Sequence, residues 1–476
     1  MSIFNSYSKQ HNDQVAVIDD ENNQFKYSDL TSFKNDFKSK IPARSLVFCL
    51  CKNNIESLMG YYSFLENKIV PLLLDVEIHQ DLLDSLVDIY KPNYIWTLTS
   101  KVVESQKSNI IYNYNNYSLV FLKSNPTIKM FDSLALLLTT SGSTGSPKLV
   151  RLSYQNLLSN AISISKYLLL DKNERPITTL PLNYSFGMSI INSHLINGST
   201  ILLTNKSVFS AEFWKFLKSK KPTSISGVPF TFEMLDKLRF FSMDLPFITS
   251  ITQAGGKMNL NLTKQLAEYC KKTNKHLYVM YGQTEASPRI SYLPPNKSLK
   301  KIGSIGIPIP DGNLSLVDSN SQIIYENEVE GELVYKGPNV CLGYASKISD
   351  LGKEDENNGI LYTGDIAYRD SDNYFYITGR KKRFIKLFGN RINLDDVERL
   401  VNDQICENAC VGNDSFLLVY IVEEKKMNEV KDLIIDKFKL NGKFIKTKLI
   451  NEIPKNSYGK TIYSTLNIDN MFLTKN

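Results

Sequence analysis

With 476 residues, the chain is too long for one compact core, so two or more domains of ordinary globular composition are expected, at 42% hydrophobic and 22% charged. Its net charge of +7 is scattered rather than blocked, which speaks against a nucleic-acid-binding face. The six cysteines form no CxxC pair and only four histidines occur, so neither a disulfide framework nor a zinc site is expected.

Along the first part of the chain, short apolar strands alternate with helical patterns. "SLVFCLC" precedes "NNIESLMGYYSFLEN", "IVPLLL" precedes "IHQDLLDSLVDIY", and "NYIWTL" follows. This alternation predicts βαβ units and a largely parallel sheet. No apolar run is long enough to cross a bilayer. The start "MSIFNSYSKQHNDQ" lacks the apolar centre of an export signal, so a cytoplasmic location is expected.

The segment "LLLTTSGSTGSPKLVRLS" (Leu136 to Ser153) breaks the pattern, because its middle contains nothing that packs a core. A flexible linker, a surface turn and an anion-holding loop all suit such a composition. Gly142 and Gly145 permit positive φ, which lets amides converge on an anion. Thr140, Ser141, Ser143 and Thr144 add hydroxyl donors, and Lys148 adds charge. A Walker A loop is excluded, since Gly145 is followed by Ser146 and Pro147 and then by strand-like "KLVRL". A helix is expected from Ser153 as N-cap through "YQNLLSNAISISKYLLL". "SIINSHLIN", "STILLT", "SAEFWKFLKSKK" and "TSISGV" continue the alternation, and His194 is expected to be a satisfied core histidine.

From about Gly303 the texture changes to short alternating runs with the turn pairs Asp311-Gly312 and Glu330-Gly331, which predicts antiparallel hairpins. The basic cluster Arg380 to Arg383 suits a hinge. Beyond it, strand-like "SFLLVYIV" and helix-like "MNEVKDLIIDKFK" suffice for one small α+β unit.

"TTSGSTGSPK", "YGQTEAS", "YTGD", "GRKKRFIKLFGNRINLDDVE" and "PKNSYGK" occur in this order, and together they resemble the adenylate-forming superfamily. That superfamily includes acyl-CoA synthetases, peptide-synthetase adenylation domains, D-alanine–carrier-protein ligases and beetle luciferases. The resemblance runs from about Phe25 to Thr461 and resolves the loop as a phosphate cradle. It implies an α/β fold with a large N-terminal domain, residues 1–379, of mixed, mainly parallel sheets flanked by helices. An antiparallel β part covers about 303–379, and a small mobile C-terminal α+β domain covers 380–476.

The implied chemistry joins a small carboxylic acid to the α-phosphorus of ATP, releases pyrophosphate, and then moves the acyl group to a thiol. The thiol is that of coenzyme A or of the phosphopantetheine on a separate acyl carrier protein. A carboxylate is already ionised at neutral pH, so no general base is needed; charge neutralisation and positioning carry the rate. By resemblance, Thr140 to Lys148 hold the β- and γ-phosphates. Thr284 meets the α-phosphate, Glu285 ligates Mg²⁺, and Tyr281 and Gly282 lie at adenine with Gly255 and Gly256. Asp365 accepts from the ribose hydroxyls beside Arg380. Lys460 bridges the acid carboxylate and the α-phosphate. The hinge falls on Lys382, Gly389 borders the pantetheine arm, and Arg391 meets a phosphate.

The family pattern is departed from in two respects. Asn183 and Tyr184 stand where many relatives carry a histidine or another aromatic gate. Ser185 stands where amino-acid-activating relatives carry an Asp for the substrate ammonium, which favours an acid without an α-amino group. Tyr184, Ser185, Phe186, Ser226, Val228, Phe230 and Ala254 are the expected pocket walls. A D-alanine-like carrier-protein ligase and a nucleotide-binding regulatory protein without chemistry remain as alternatives.

Overall fold

The computed structural model describes residues 2–4, 7, 9–122, 129–139, 148–381, 383–387, 390–413, 415–438, 440–456 and 459–466. Two large sheets dominate it. The eight-stranded sheet has a parallel centre of Leu46–Cys51, Val70–Asp75 and Leu134–Thr139. Covered on both faces, these strands are near-continuous aliphatic runs rather than alternating ones. In the nine-stranded sheet, Ser224–Gly227, Ser250–Gln253 and His276–Gly282 run parallel, and Arg289–Leu293 returns antiparallel to the last of them.

Helix Ser185–Leu195 lies in the core shared by the sheets. Its Met188 and Ile191 belong to one apolar cluster with Val17 and Ile201 from the nine-stranded sheet and Val47 and Leu73 from the eight-stranded one. Helix Tyr154–Leu168 starts where expected: Ser153 Oγ accepts from Asn156 N at 3.0 Å and Asn156 Oδ1 accepts from Ser153 N at 2.8 Å.

The strand expected at "KLVRL" is Leu149–Ser153, buried along its whole length between Leu134–Thr139 and Gly343–Ala345. Its Arg151 side chain has no solvent exposure. The guanidinium donates to the carbonyls of Lys353 (2.5 Å) and Leu342 (2.9 Å) and to the Glu356 carboxylate (2.6 Å).

An antiparallel sheet of Asn313–Val317, Gly331–Lys336, Ile360–Arg369 and Phe375–Arg380 follows. Only part of the hairpin expectation holds. Asp311, at φ 66°, turns the chain from Ile307–Pro308 of the nine-stranded sheet into this one, so Asp311-Gly312 makes a corner between sheets. Gly331 is the first residue of its strand. A Cβ there would come within 2.7 Å of the Val317 carbonyl oxygen, so the glycine permits close approach rather than forming the turn.

The C-terminal part is α+β. A ribbon of Phe384–Leu387 and Asn390–Asn393 precedes a three-stranded sheet of Asn408–Asn413, Phe416–Ile421 and Ile445–Leu449, packed with helices Leu394–Gln404 and Met427–Phe438. Its core, with Val397, Val401, Val419, Val430 and Ile434, is separate from the cores of the large domain. Asn259 Nδ2 donates to Asp403 Oδ1 at 3.3 Å, and Asn393 Nδ2 donates to the Thr378 carbonyl at 3.0 Å; both bonds join the two domains. Among the described residues, no helix is long and apolar enough to cross a membrane.

Candidate active site

Strand His276–Gly282 ends in a single turn, Thr284–Ala286, and this carries the "YGQTEA" residues to the edge of the antiparallel sheet. There Asp365, 4% exposed, sits opposite Arg380 in the strand register. The Tyr281 hydroxyl donates to the Asp365 carboxylate, as does Gln283 Nε2 at 3.1 Å. Arg380 Nε lies 3.2 Å from its other oxygen. Gln283 Nε2 also donates to the Thr363 carbonyl at 2.9 Å. Burial and the neighbouring Asp365 charge push the Tyr281 phenol well above its ordinary range, so it stays a donor.

Glu285 points the other way. Its carboxylate accepts from the Tyr344 hydroxyl at 2.7 Å, and its carbonyl accepts from Cys341 N at 2.8 Å. Among the described residues, no group of three or more His, Cys, Asp or Glu is placed to hold a metal ion. A single carboxylate fits Mg²⁺ delivered with a nucleotide, because that ion takes most of its oxygens from phosphates and water.

Lys460 reaches this region from the C-terminal domain. The turn holding it is closed by Asn456, whose Oδ1 accepts from Lys460 N at 3.0 Å while its N donates to the Lys460 carbonyl at 2.9 Å. The ammonium lies 6.0 Å from the centre of the Tyr184 ring. Burial first, and then the Arg380 charge, pull the Lys460 ammonium below its usual range, while Glu285 and Asp365 work against them. Lys460, Arg380, Glu285 and Asp365 therefore share one electrostatic environment.

The expected pocket walls are brought together. Ser185 Oγ lies 3.2 Å from Thr284 Oγ1, and Tyr184, Phe186, Val228 and Ala254 belong to one apolar cluster. Ser226 is buried and accepts from Thr252 Oγ1 at 2.7 Å. Phe230 differs: it is 40% exposed on helix Pro229–Lys237, with its Cβ 2.7 Å from where a Cβ on Gly459 would stand. It faces the C-terminal domain rather than the core, because the helix start turns its second residue outward. Gly255 has φ 88°, and a Cβ there would lie 2.6 Å from the Tyr184 hydroxyl. Gly256 is less constrained, a Cβ meeting only Pro229 at 3.3 Å. At Gly282 a Cβ would stand 1.8 Å from the Pro288 carbonyl oxygen, so the chain's own return path demands this glycine.

Of the other expected residues, Thr140, Ser141, Gly142, Ser143, Thr144, Gly145, Lys382 and Gly389 lie outside the described residues. Lys148 is exposed just before strand Leu149–Ser153, and Arg391 is described only as a strand residue opposite Lys386. His194 is only half satisfied. Its Nδ1 lies 2.7 Å from the Ile190 carbonyl, whereas Nε2 is buried without a partner; the preceding helical turn supplies one acceptor and the pocket wall supplies nothing.

Three residues escaped the sequence reading. Gln283 lies inside a quoted motif but was given no role. Tyr344 is remote in sequence from its carboxylate partner. Arg289 is 3% exposed, with its guanidinium 3.9 Å above the Phe186 ring. A cation within the otherwise apolar or small "RISYL" strand is the signal that could have found it.

The chain is similar in sequence and fold to known proteins. The family model for AMP-binding enzymes matches residues 4–345. The 2-succinylbenzoate–CoA ligase of Oceanobacillus iheyensis is 29% identical over 82% of this chain and 81% of its own length. A long-chain-fatty-acid–CoA ligase of Escherichia coli is 31% identical over 73% of this chain and 63% of its own. The fold matches o-succinylbenzoate coenzyme A synthetase (MenE) from Bacillus subtilis, in complex with ATP and magnesium ion, with a TM-score of 0.79 at 21% identity, covering 97% of this chain and 98% of that one. With the matched model spanning most of its length, the chain belongs to the AMP-binding enzyme family.

Proposed function

We propose that the protein is an ATP-dependent carboxylic acid ligase that forms an acyl-adenylate and transfers the acyl group to a thiol. The observation that carries the reading is that Lys460 reaches from the C-terminal domain to 6.0 Å from the Tyr184 ring, where it feels the charges of Arg380, at the domain boundary, and of Glu285 and Asp365 in the large domain. Bringing a carboxylate to a triphosphate requires cations and donors on every side of the pair. In the first step a carboxylate oxygen attacks the α-phosphorus, the bridging bond to the β-phosphorus breaks, and pyrophosphate leaves. Lys460 neutralises the approaching carboxylate, and Thr284 donates to the α-phosphate. Glu285 would hold Mg²⁺ delivered with the nucleotide, which would screen the phosphate charge. Asp365, oriented by Tyr281, Gln283 and Arg380, accepts from the ribose hydroxyls. In the second step the thiol sulfur attacks the acyl carbon, the C–O bond to AMP breaks, and the thiol proton passes to solvent.

Residues 1–379 and 380–476 are the two moving bodies in this scheme, with Lys382 as hinge. Coenzyme A is the favoured thiol, since the similar proteins are CoA ligases by name; a phosphopantetheinylated carrier protein is the competing acceptor. The test is acid-dependent exchange of labelled pyrophosphate into ATP, followed by thioester formation with each acceptor. A protein that binds ATP yet gives no exchange with any acid would refute the ligase reading.

A further inference from the structure

Arg289 is the buried cation that the proposed mechanism does not use. Its guanidinium lies against the Phe186 ring at 3.9 Å, next to Tyr184 and hydrogen-bonded to the Tyr167 hydroxyl, and its Nε is buried without a hydrogen-bond partner. Among the described residues, no carboxylate forms an ion pair with it. A buried charge left without a counterion is among the costliest arrangements in a protein interior. Guanidinium keeps its proton, so the site cannot relieve the cost by neutralising itself.

The same residue lines a small cavity together with Phe186, His194, Ser226 and Thr252. Its free volume is about 20 Å³, room for one water-sized group. His194 Nε2, another buried polar atom without a partner, also belongs to a residue lining it. Phe186 and Ser226 are also expected walls of the acid pocket, so the cavity borders the place expected for the acid. Three consecutive residues connect its ends: Tyr184 faces Lys460, Ser185 meets Thr284, and Phe186 lies beneath Arg289.

We propose that Arg289 is a specificity residue that receives a second carboxylate, making short dicarboxylic acids the preferred substrates. The inference rests on the ligase reading and adds to it. One carboxylate is activated at the Lys460 end; the other displaces a water-sized occupant and pairs with Arg289, whose planar fork matches its two oxygens. An aliphatic monocarboxylic acid of equal length leaves the charge unpaired and pushes methyl hydrogens against it. A long chain does not fit the space.

Pyrophosphate exchange by the full-length protein tests this with matched pairs: butanoate against butanedioate, pentanoate against pentanedioate, hexanoate against hexanedioate. At least one diacid is expected to exceed its monoacid in kcat/KM by about tenfold or more, as one buried charge-assisted pair allows. In Arg289→Gln the diacid-to-monoacid ratio falls by about tenfold, through KM rather than kcat. Arg289→Lys, which keeps the charge and loses the fork, retains part of the preference. Monoacids equal to or better than every diacid in the unaltered protein would overturn the proposal, whether or not the variants fold. Equal losses for both acid classes in Arg289→Gln, with ATP binding intact by equilibrium dialysis, would overturn it too and leave Arg289 structural. Exchange with no acid at all would instead refute the ligase reading, and this inference with it.

Discussion

The Lys460 ammonium lies 6.0 Å from the centre of the Tyr184 ring, at the junction of the two domains. The lysine thus faces an aromatic ring of the large domain. In the proposed mechanism Lys460 serves only the first half-reaction. Lys460→Ala is expected to lower pyrophosphate exchange roughly 10²- to 10³-fold, the usual cost of losing one charge-stabilising donor. Thioester formation from supplied acyl-adenylate should stay within about threefold, since in the proposed scheme that step uses another face of the small domain. Stopped assays of each half-reaction decide; equal loss in both would refute the two-face scheme.

Tyr281 is one of three donors on Asp365, beside Gln283 and Arg380. Removing a hydrogen bond to a charged group costs about 1.5–3 kcal/mol, so Tyr281→Phe should raise the KM for ATP about tenfold. The readout is the KM against kcat split. A change in kcat alone would mean that Asp365 keeps its orientation without the phenol.

Tyr344 holds the Glu285 carboxylate at 2.7 Å. Partners that orient a metal-ligating carboxylate typically account for about tenfold in metal affinity. Tyr344→Phe should therefore raise the Mg²⁺ concentration for half-maximal exchange by about that factor, and Glu285→Gln should raise it further. Titration of Mg²⁺ at fixed ATP measures both, and an unchanged Glu285→Gln curve would remove Glu285 from the metal.

Gly282 tests structure against ligand contact. With a Cβ 1.8 Å from the Pro288 carbonyl oxygen, Gly282→Ala must displace backbone. Overpacking of this kind costs about 1–3 kcal/mol, which should lower the melting temperature by a few degrees, about 5 °C at most. Calorimetry without nucleotide isolates the effect. An unchanged melting temperature with weakened ATP binding would assign the glycine to the ligand.

Burial pulls the His194 imidazole down to about 4. The unfolded chain then binds the proton more readily, so stability is whole above about pH 6.5 and falls as pH drops toward 4. The loss is of order 3 kcal/mol across that window. His194→Asn keeps an amide donor near the Ile190 carbonyl and removes the titration. Its unfolding midpoint should change less between pH 7 and pH 5 than that of the unaltered protein; parallel changes would place the acid sensitivity elsewhere.

The strand–helix order of the large domain was readable because the central strands of the eight-stranded sheet are aliphatic runs, and several helices carry a side-chain N-cap, as at Asn54, Ser153, Ser210 and Asn259. The Asp311 corner was not readable, since a turn pair specifies a local reversal and not which sheet receives the chain. The motif residues Tyr281, Glu285, Asp365, Arg380 and Lys460 were legible as types at spacings, but their convergence depends on long-range pairing, such as the register opposing Asp365 and Arg380. Arg289 went unread for a similar reason. Whether a strand cation faces water or an apolar ring is decided by what packs on that face, and Phe186 lies far away in sequence.

Arg151 carries a further consequence. Its guanidinium staples the strand that follows the Ser/Thr/Gly loop to backbone carbonyls at Leu342 and Lys353. Neither stretch frays alone without stranding a formal charge in a dry interior. Amide protons of Leu149–Ser153 and Gly343–Ala345 should therefore exchange with deuterium as a single cooperative unit, and whatever loosens one will loosen the other.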